Sequence, residues 1–171
     1  MNGKVHVYTG NGKGKTTAAL GIALRAVGAG KEVFFAQFVK GMRYAEVEAI
    51  DMYIPGIKIQ QFGLECFIEK APTKEDIEKA RHGLEVVTEI LKEGKYDLVV
   101  LDEANIALYY KLFSVEELLL ALNCRSENVE VVITGRYSPE ALNEYADLVT
   151  EMKEIKHYYN DGLQARKGIE F

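Results

Sequence analysis

The chain of 171 residues has no tryptophan, three prolines and two cysteines. With proline so sparse and 48% of residues hydrophobic, composition excludes a disordered or collagen-like chain, because there is ample apolar surface to bury. Cys66 and Cys124 are far apart and form no CxxC pair. Neither a zinc knuckle nor a dithiol redox site is signalled, and two buried free thiols are expected. Cations are also in short supply, since 21 Lys and Arg against 26 Asp and Glu leave a formal net charge of -5. A phosphate backbone calls for a basic face, so general nucleic-acid binding is excluded. No apolar run approaches the roughly 18 residues that cross a bilayer, which argues against a membrane protein. The opening Met1-Asn2-Gly3-Lys4 has no charged-then-apolar leader, and a cytoplasmic protein is expected.

What is present alternates between two periods. Val5–Tyr8, Val33–Phe38, Ile57–Phe62, Tyr96–Leu101, Val129–Thr134 and Leu148–Met152 read as strands, rich in residues that suit a pleated sheet. Between them, Lys15–Val27 carries Leu20, Ile22, Ala23, Leu24 and Val27 at helical spacing and stops at Gly28-Ala29-Gly30. A short helix is expected near Ala45–Met52, before the Pro55-Gly56 turn. A long helix starts at Pro72-Thr73, with Thr73 as cap, Ile77, Ala80, Leu84, Val87 and Leu91 on one face, and Gly94 as its end. Further helices are expected at about 105–122 and 138–146. Strands alternating with helices imply one α/β domain over residues 1–171, with a mostly parallel sheet covered on both faces.

The first strand and helix are joined by Thr9-Gly10-Asn11-Gly12-Lys13-Gly14-Lys15-Thr16-Thr17. Gly10, Gly12 and Gly14 free the backbone to turn amides inward, and the helix starting at Lys15 adds its positive dipole end. This is a polyphosphate cradle of the P-loop type, with Lys15 as a point charge on phosphate and the Thr16 hydroxyl as a Mg²⁺ ligand. It departs from G-x-x-x-x-G-K-[ST] in having Thr9 where the first glycine stands. Val99-Val100-Leu101-Asp102-Glu103 ends a strand in two carboxylates, suited to the metal side of such a site, although acids also end strands merely to meet solvent. Arg136, after the next strand, is a candidate to grip phosphate oxygens, a surface arginine being the alternative; Arg25 and Lys40 are weaker candidates, and a solvated Lys40 is the competing reading. The histidines His6, His82 and His157 have the spacing of neither metal-ligand pairs nor a nucleophile-base couple, so acyl-transfer hydrolysis is disfavoured.

Taken together, the loop with Ala18-Ala19-Leu20-Gly21, Arg25-Ala26-Val27-Gly28, Gln37-Phe38-Val39-Lys40-Gly41, Val99–Asn105, Thr134-Gly135-Arg136 and Lys167-Gly168-Ile169-Glu170-Phe171 resembles the ATP:corrinoid adenosyltransferases. That family acts on cob(I)alamin and cob(I)yrinic acid a,c-diamide, and the likeness runs from end to end. The resemblance implies a P-loop NTPase-like fold, a homodimer, ATP with Mg²⁺ or Mn²⁺, a corrinoid substrate, a flavin-type reductase partner, and transfer of the 5′-deoxyadenosyl group to cobalt with release of triphosphate. It implies a nucleotide reversed in the loop, so that C5′ faces the nucleophile. It also implies aromatic side chains that free the lower face of cobalt; here Phe67 and Phe62 are the candidates, core packing of either ring being the alternative. Some relatives have an N-terminal extension over the corrinoid, which this sequence, starting almost at the first strand, does not show. A kinase or ATPase acting at the γ-phosphate, and a non-catalytic ATP-dependent regulator, are the competing functional readings.

Overall fold

The computed structural model describes residues 2–64, 68 and 71–171; Cys66 and Phe67 lie outside them. The runs of β-branched and aromatic residues form six strands: β1 (Val5–Thr9), β2 (Val33–Phe38), β3 (Ile57–Phe62), β4 (Leu98–Asp102), β5 (Glu130–Thr134) and β6 (Leu148–Glu151). They make one sheet in the order β3-β2-β4-β5-β1-β6, and each neighbouring pair is parallel. Parallel neighbours require crossovers. These are made by α1 (Lys15–Gly28), α2 (Ala45–Tyr53), α3 (Lys74–Glu93), α4 (Ala104–Tyr109), α5 (Val115–Asn123) and α6 (Glu140–Tyr145).

Successive side chains on a strand face opposite ways, so the central strands feed two cores. From β2, Phe34, Ala36 and Phe38 join Val99 and Leu101 of β4 in the larger core, which α3 and α5 cover with Ala80, Leu84, Val87, Leu91, Leu118 and Leu122. Val33 and Phe35, with Leu98 and Val100, form the smaller core beneath Ala19 and Ala23 of α1 and Ile50 of α2. Each Leu or Val fully buried in this way contributes about 1.5–3 kcal/mol. The long helix α3 starts as its sequence dictates: the Asp76 amide donates to Thr73 Oγ1 at 3.2 Å, and the Thr73 amide donates to Asp76 Oδ2 at 2.8 Å. It ends at Gly94, whose φ is 63°.

Four expectations change. The single helix at about 105–122 is two, because Lys111 turns left-handed (φ 56°) and Ser114 starts a new helix through reciprocal bonds with Glu117. The helix at 138–146 shrinks to Glu140–Tyr145 behind Pro139. Leu24, placed on the apolar face of α1, is 57% exposed, and Cys124 is an exposed free thiol rather than a buried one. Among the described residues no helix is long and apolar enough to cross a membrane.

The strand order matters most for function. Because β5 lies between β1 and β4, the loop after β1, the acids at the end of β4 and Thr134 at the end of β5 come side by side at the carboxyl edge of the sheet. That edge is where ligands bind in open parallel sheets.

Candidate functional site

The β1–α1 loop needs its glycines for different reasons. Gly14 sits at φ 117°, a conformation that a side chain would strain. The Gly12 amide donates to the Met152 carbonyl at 2.7 Å, and a Cβ on Gly12 would come within 2.7 Å of that same oxygen. Helix α1 then begins with no side chain capping its first turn, so its amides and its positive dipole end are free to meet an anion.

Lys15, only 8% exposed, curls back over the loop, and its Nζ donates to the carbonyls of Gly10 at 2.9 Å and Gly12 at 2.7 Å. Burial pulls its pKa down, while the charges of Glu103 and Asp102 act in the other direction. A buried ammonium held only by neutral carbonyls gains by meeting a phosphate.

Asp102 is fully buried and fully served. It accepts from Thr16 Oγ1 at 2.8 Å, Thr134 Oγ1 at 2.7 Å, Lys40 Nζ at 2.8 Å and Gln37 Nε2 at 3.3 Å. The carboxylate thus ties the start of α1 to the ends of β2, β4 and β5. Lys40 owes its aim to Val39, a β-branched residue held at φ 60° just past β2, an uncommon conformation that marks a backbone bent to a purpose. Burial lowers the Lys40 pKa, but Asp102 and Glu103 outweigh it and hold the ammonium above its usual range.

Glu103 is also left-handed, at φ 59°, and its amide donates to Thr134 Oγ1 at 3.0 Å. Burial and then the charge of Asp102 push its pKa up, against Lys40, Lys15 and Arg136. These groups surround a cavity of about 480 Å³ whose lining includes Gly12 to Thr17, Lys40, Glu103, Arg136, His157 and Glu170, a size that suits a nucleotide-scale ligand. A second hollow of about 450 Å³, lined by Tyr109, Phe113 and Tyr137 among others, holds no residue of the loop.

Most of the residues chosen from the sequence therefore meet: Gly12, Lys13, Gly14, Lys15, Thr16, Thr17, Glu103 and Arg136 line one cavity, with Asp102 directly beneath Thr16. Gly10 and Asn11 belong to the same loop, Asn11 at its exposed side. Arg25 does not join them. It lies exposed on the last turn of α1, about 15 Å of helix rise from Lys15. Phe62 is 3% exposed and packs its ring against Phe38 and His82, inside the core beneath α3.

Three parts of the site escaped the sequence reading. Lys40, read as a weak candidate, is ion-paired at the centre. Thr134, to which the sequence gives no evident role, joins the Asp102 carboxylate to the Glu103 backbone amide. His157 and Glu170 reach the cavity from the segment after β6; the Lys167–Phe171 string was the only signal for the latter. Among the described residues no three His, Cys, Asp or Glu side chains gather as a metal cluster.

The whole chain, residues 1–171, matches the family model described as ATP:corrinoid adenosyltransferase BtuR/CobO/CobP. It is 36% identical over 170 residues to a corrinoid adenosyltransferase of Pseudomonas aeruginosa, covering 99% of this chain and 84% of that protein. An Escherichia coli corrinoid adenosyltransferase is 36% identical over 169 residues, with 99% and 86% covered. Corrinoid adenosyltransferase CobA of Salmonella typhimurium is 37% identical over 173 residues, again with 99% and 86% covered.

Proposed function

The chain belongs to the ATP:corrinoid adenosyltransferase family, and from that premise we propose that it transfers the 5′-deoxyadenosyl group of ATP to the Co(I) centre of a corrinoid, releasing triphosphate. The observation that carries this reading is the buried Lys15 ammonium held over a glycine loop at the uncapped start of α1. Such a site grips a polyphosphate, whichever end of the nucleotide reacts.

In the displacement, the cobalt electron pair forms the Co–C5′ bond as the C5′–O bond breaks, and the leaving electron pair adds negative charge to the triphosphate. Cobalt(I) is a strong nucleophile, so the protein need not supply a general base. Its tasks are to hold C5′ in line and to stabilise charge on the leaving group. Lys15 does the second by exchanging the carbonyls of Gly10 and Gly12 for phosphate oxygens, and Arg136, at the open side of the cavity, adds a second cation.

Thr16 donates its hydroxyl hydrogen to Asp102 at 2.8 Å and accepts from Lys40 Nζ at 3.4 Å, which leaves one oxygen lone pair that a hard cation could take. With Glu103 beside it, this oxygen donor set fits Mg²⁺ or Mn²⁺, which would neutralise phosphate charge. Phe67 is the aromatic assigned to the lower face of the corrinoid. A homodimer, a flavin-type reductase partner and a cytoplasmic setting complete the same reading.

The test is product analysis. With ATP, Mg²⁺ and chemically reduced corrinoid, phosphorus NMR should show triphosphate, together with a light-sensitive Co–C species. ADP and phosphate would place the chemistry at the γ-phosphate and overturn the proposal. Tight ATP binding without any product would make the chain a regulator instead.

A further inference from the structure

After β6 the chain does not leave the site. The Met152 amide donates to the Thr9 carbonyl at 2.8 Å, and the Met152 carbonyl receives the Gly12 amide, so the following arm lies along the phosphate loop. Lys13, on that loop, sends its Nζ to Glu170 Oε1 at 2.8 Å and to the Tyr158 hydroxyl at 2.8 Å. The Tyr158 hydroxyl donates in turn to Glu170. The Arg166 amide reaches Glu170 Oε2 at 2.7 Å, and its guanidinium approaches Oε1 at 3.3 Å. Lys13 and Arg166 also lie over the Tyr158 ring, 5.5 and 5.1 Å from its centre.

A carboxylate beside a polyphosphate cavity would by itself repel the ligand. Here Glu170 is enclosed by two cations and two further donors, its side chain only 15% exposed, and its pKa is held far below the usual carboxylate range by Lys13, Tyr158 and Arg166. The cluster carries two positive charges and one negative, so the wall it forms is cationic on balance. Lys13 commits two of its three donors to the arm, unlike Lys15, whose partners are replaceable carbonyls.

We propose that Lys13, Tyr158, Arg166 and Glu170 form a clasp that fastens the arm across the nucleotide loop, with Glu170 a positioning residue that sets ATP affinity through Lys13. Lys13 is then a strut of the loop rather than a phosphate ligand. The identification of the ligand as ATP rests on the proposed function; the clasp itself rests on the contacts above.

The test uses the full chain with Glu170→Ala, Glu170→Gln and Tyr158→Phe, measuring MgATP affinity by calorimetry without corrinoid, then KM for ATP and kcat with it. Losing a charge-assisted bond should weaken ATP binding about tenfold in Glu170→Ala, with KM rising by a similar factor and kcat falling far less. Glu170→Gln keeps hydrogen-bonding atoms without the charge and should fall between it and the parent. Tryptic cleavage at Arg166 and Lys167 should quicken in Glu170→Ala, and saturating MgATP should slow it in the parent. Unchanged or tighter ATP binding in both Glu170 variants overturns the clasp, because it would mean that Glu170 competes with phosphate for Lys13 or does nothing. If ATP binding weakens as stated while the products are ADP and phosphate, the functional proposal fails and the clasp stands. If triphosphate forms and affinity does not move, only the clasp fails.

Discussion

Replacing Thr134 by valine keeps the shape of the side chain and removes the hydroxyl that joins the two acids of the site. That hydroxyl is fully buried, donates to Asp102 Oδ1 at 2.7 Å and accepts the Glu103 amide at 3.0 Å. Valine leaves the Glu103 amide without its acceptor, at about 1–3 kcal/mol, and takes a charge-assisted bond worth about 1.5–3 kcal/mol from a carboxylate that keeps three other donors. Burying an additional methyl offsets about 1 kcal/mol. The net loss is about 2–4 kcal/mol, since the two bonds share one atom and do not add in full. For a chain of this size each kcal/mol moves Tm by about 2–4 °C, so thermal unfolding followed by circular dichroism should fall by roughly 5–15 °C. The exposed Thr150→Val on β6 is the control and should stay within about 0.5 kcal/mol of the parent. MgATP affinity should fall in Thr134→Val as well, because Glu103 loses the bond that holds its left-handed backbone. A Tm within 2 °C (about 1 kcal/mol or less) would refute the claim that Thr134 organises the acids.

Lys15→Ala should lower kcat by about 10²–10³-fold, the scale on which a single preorganised charge stabiliser is lost; near-normal turnover in a steady-state assay would remove Lys15 from the leaving-group role. Gly83→Ala should destabilise in a urea titration, because its Cβ would come 2.6 Å from the Phe62 ring and 3.0 Å from that of Phe38. Overpacking of about 1–3 kcal/mol then exceeds the helix-propensity gain of at most about 1 kcal/mol, and a raised midpoint would contradict the close approach. Phe67→Ala should slow adenosylation starting from Co(II) corrinoid much more than from pre-reduced Co(I); equal losses would make the ring structural.

Local rules carried the sequence far where one element decides its own fate. Thr73 and Gly94 bound α3 because the cap and the left-handed stop are properties of those residues. The break between α4 and α5 was also written locally, in Ser114-Val115-Glu116-Glu117, but the apolar periodicity from 105 to 122 masked it. Lys40 shows the other limit. Its role depends on β2 pairing with β4, in which Gln37 stands opposite Asp102, and on a strained Val39; neither spacing nor composition encodes such a pairing. Glu170 is more distant still, 157 residues from the lysine it holds. Arg25 stands apart from the loop for a geometric reason, since a helix carries its last turn away from the loop that starts it. Phe62 occupies the inward register of β3, which sends its ring to the core rather than to the cavity.

The most direct measurement follows the carbon rather than the phosphate. A single turnover with ATP carrying ¹³C at C5′ and reduced corrinoid should move the label into a cobalt-bound methylene signal that collapses on illumination, in step with the appearance of intact triphosphate. Label that remains esterified to phosphate, in ADP or AMP, would contradict the account, because the loop would then present the wrong end of the nucleotide to the acceptor.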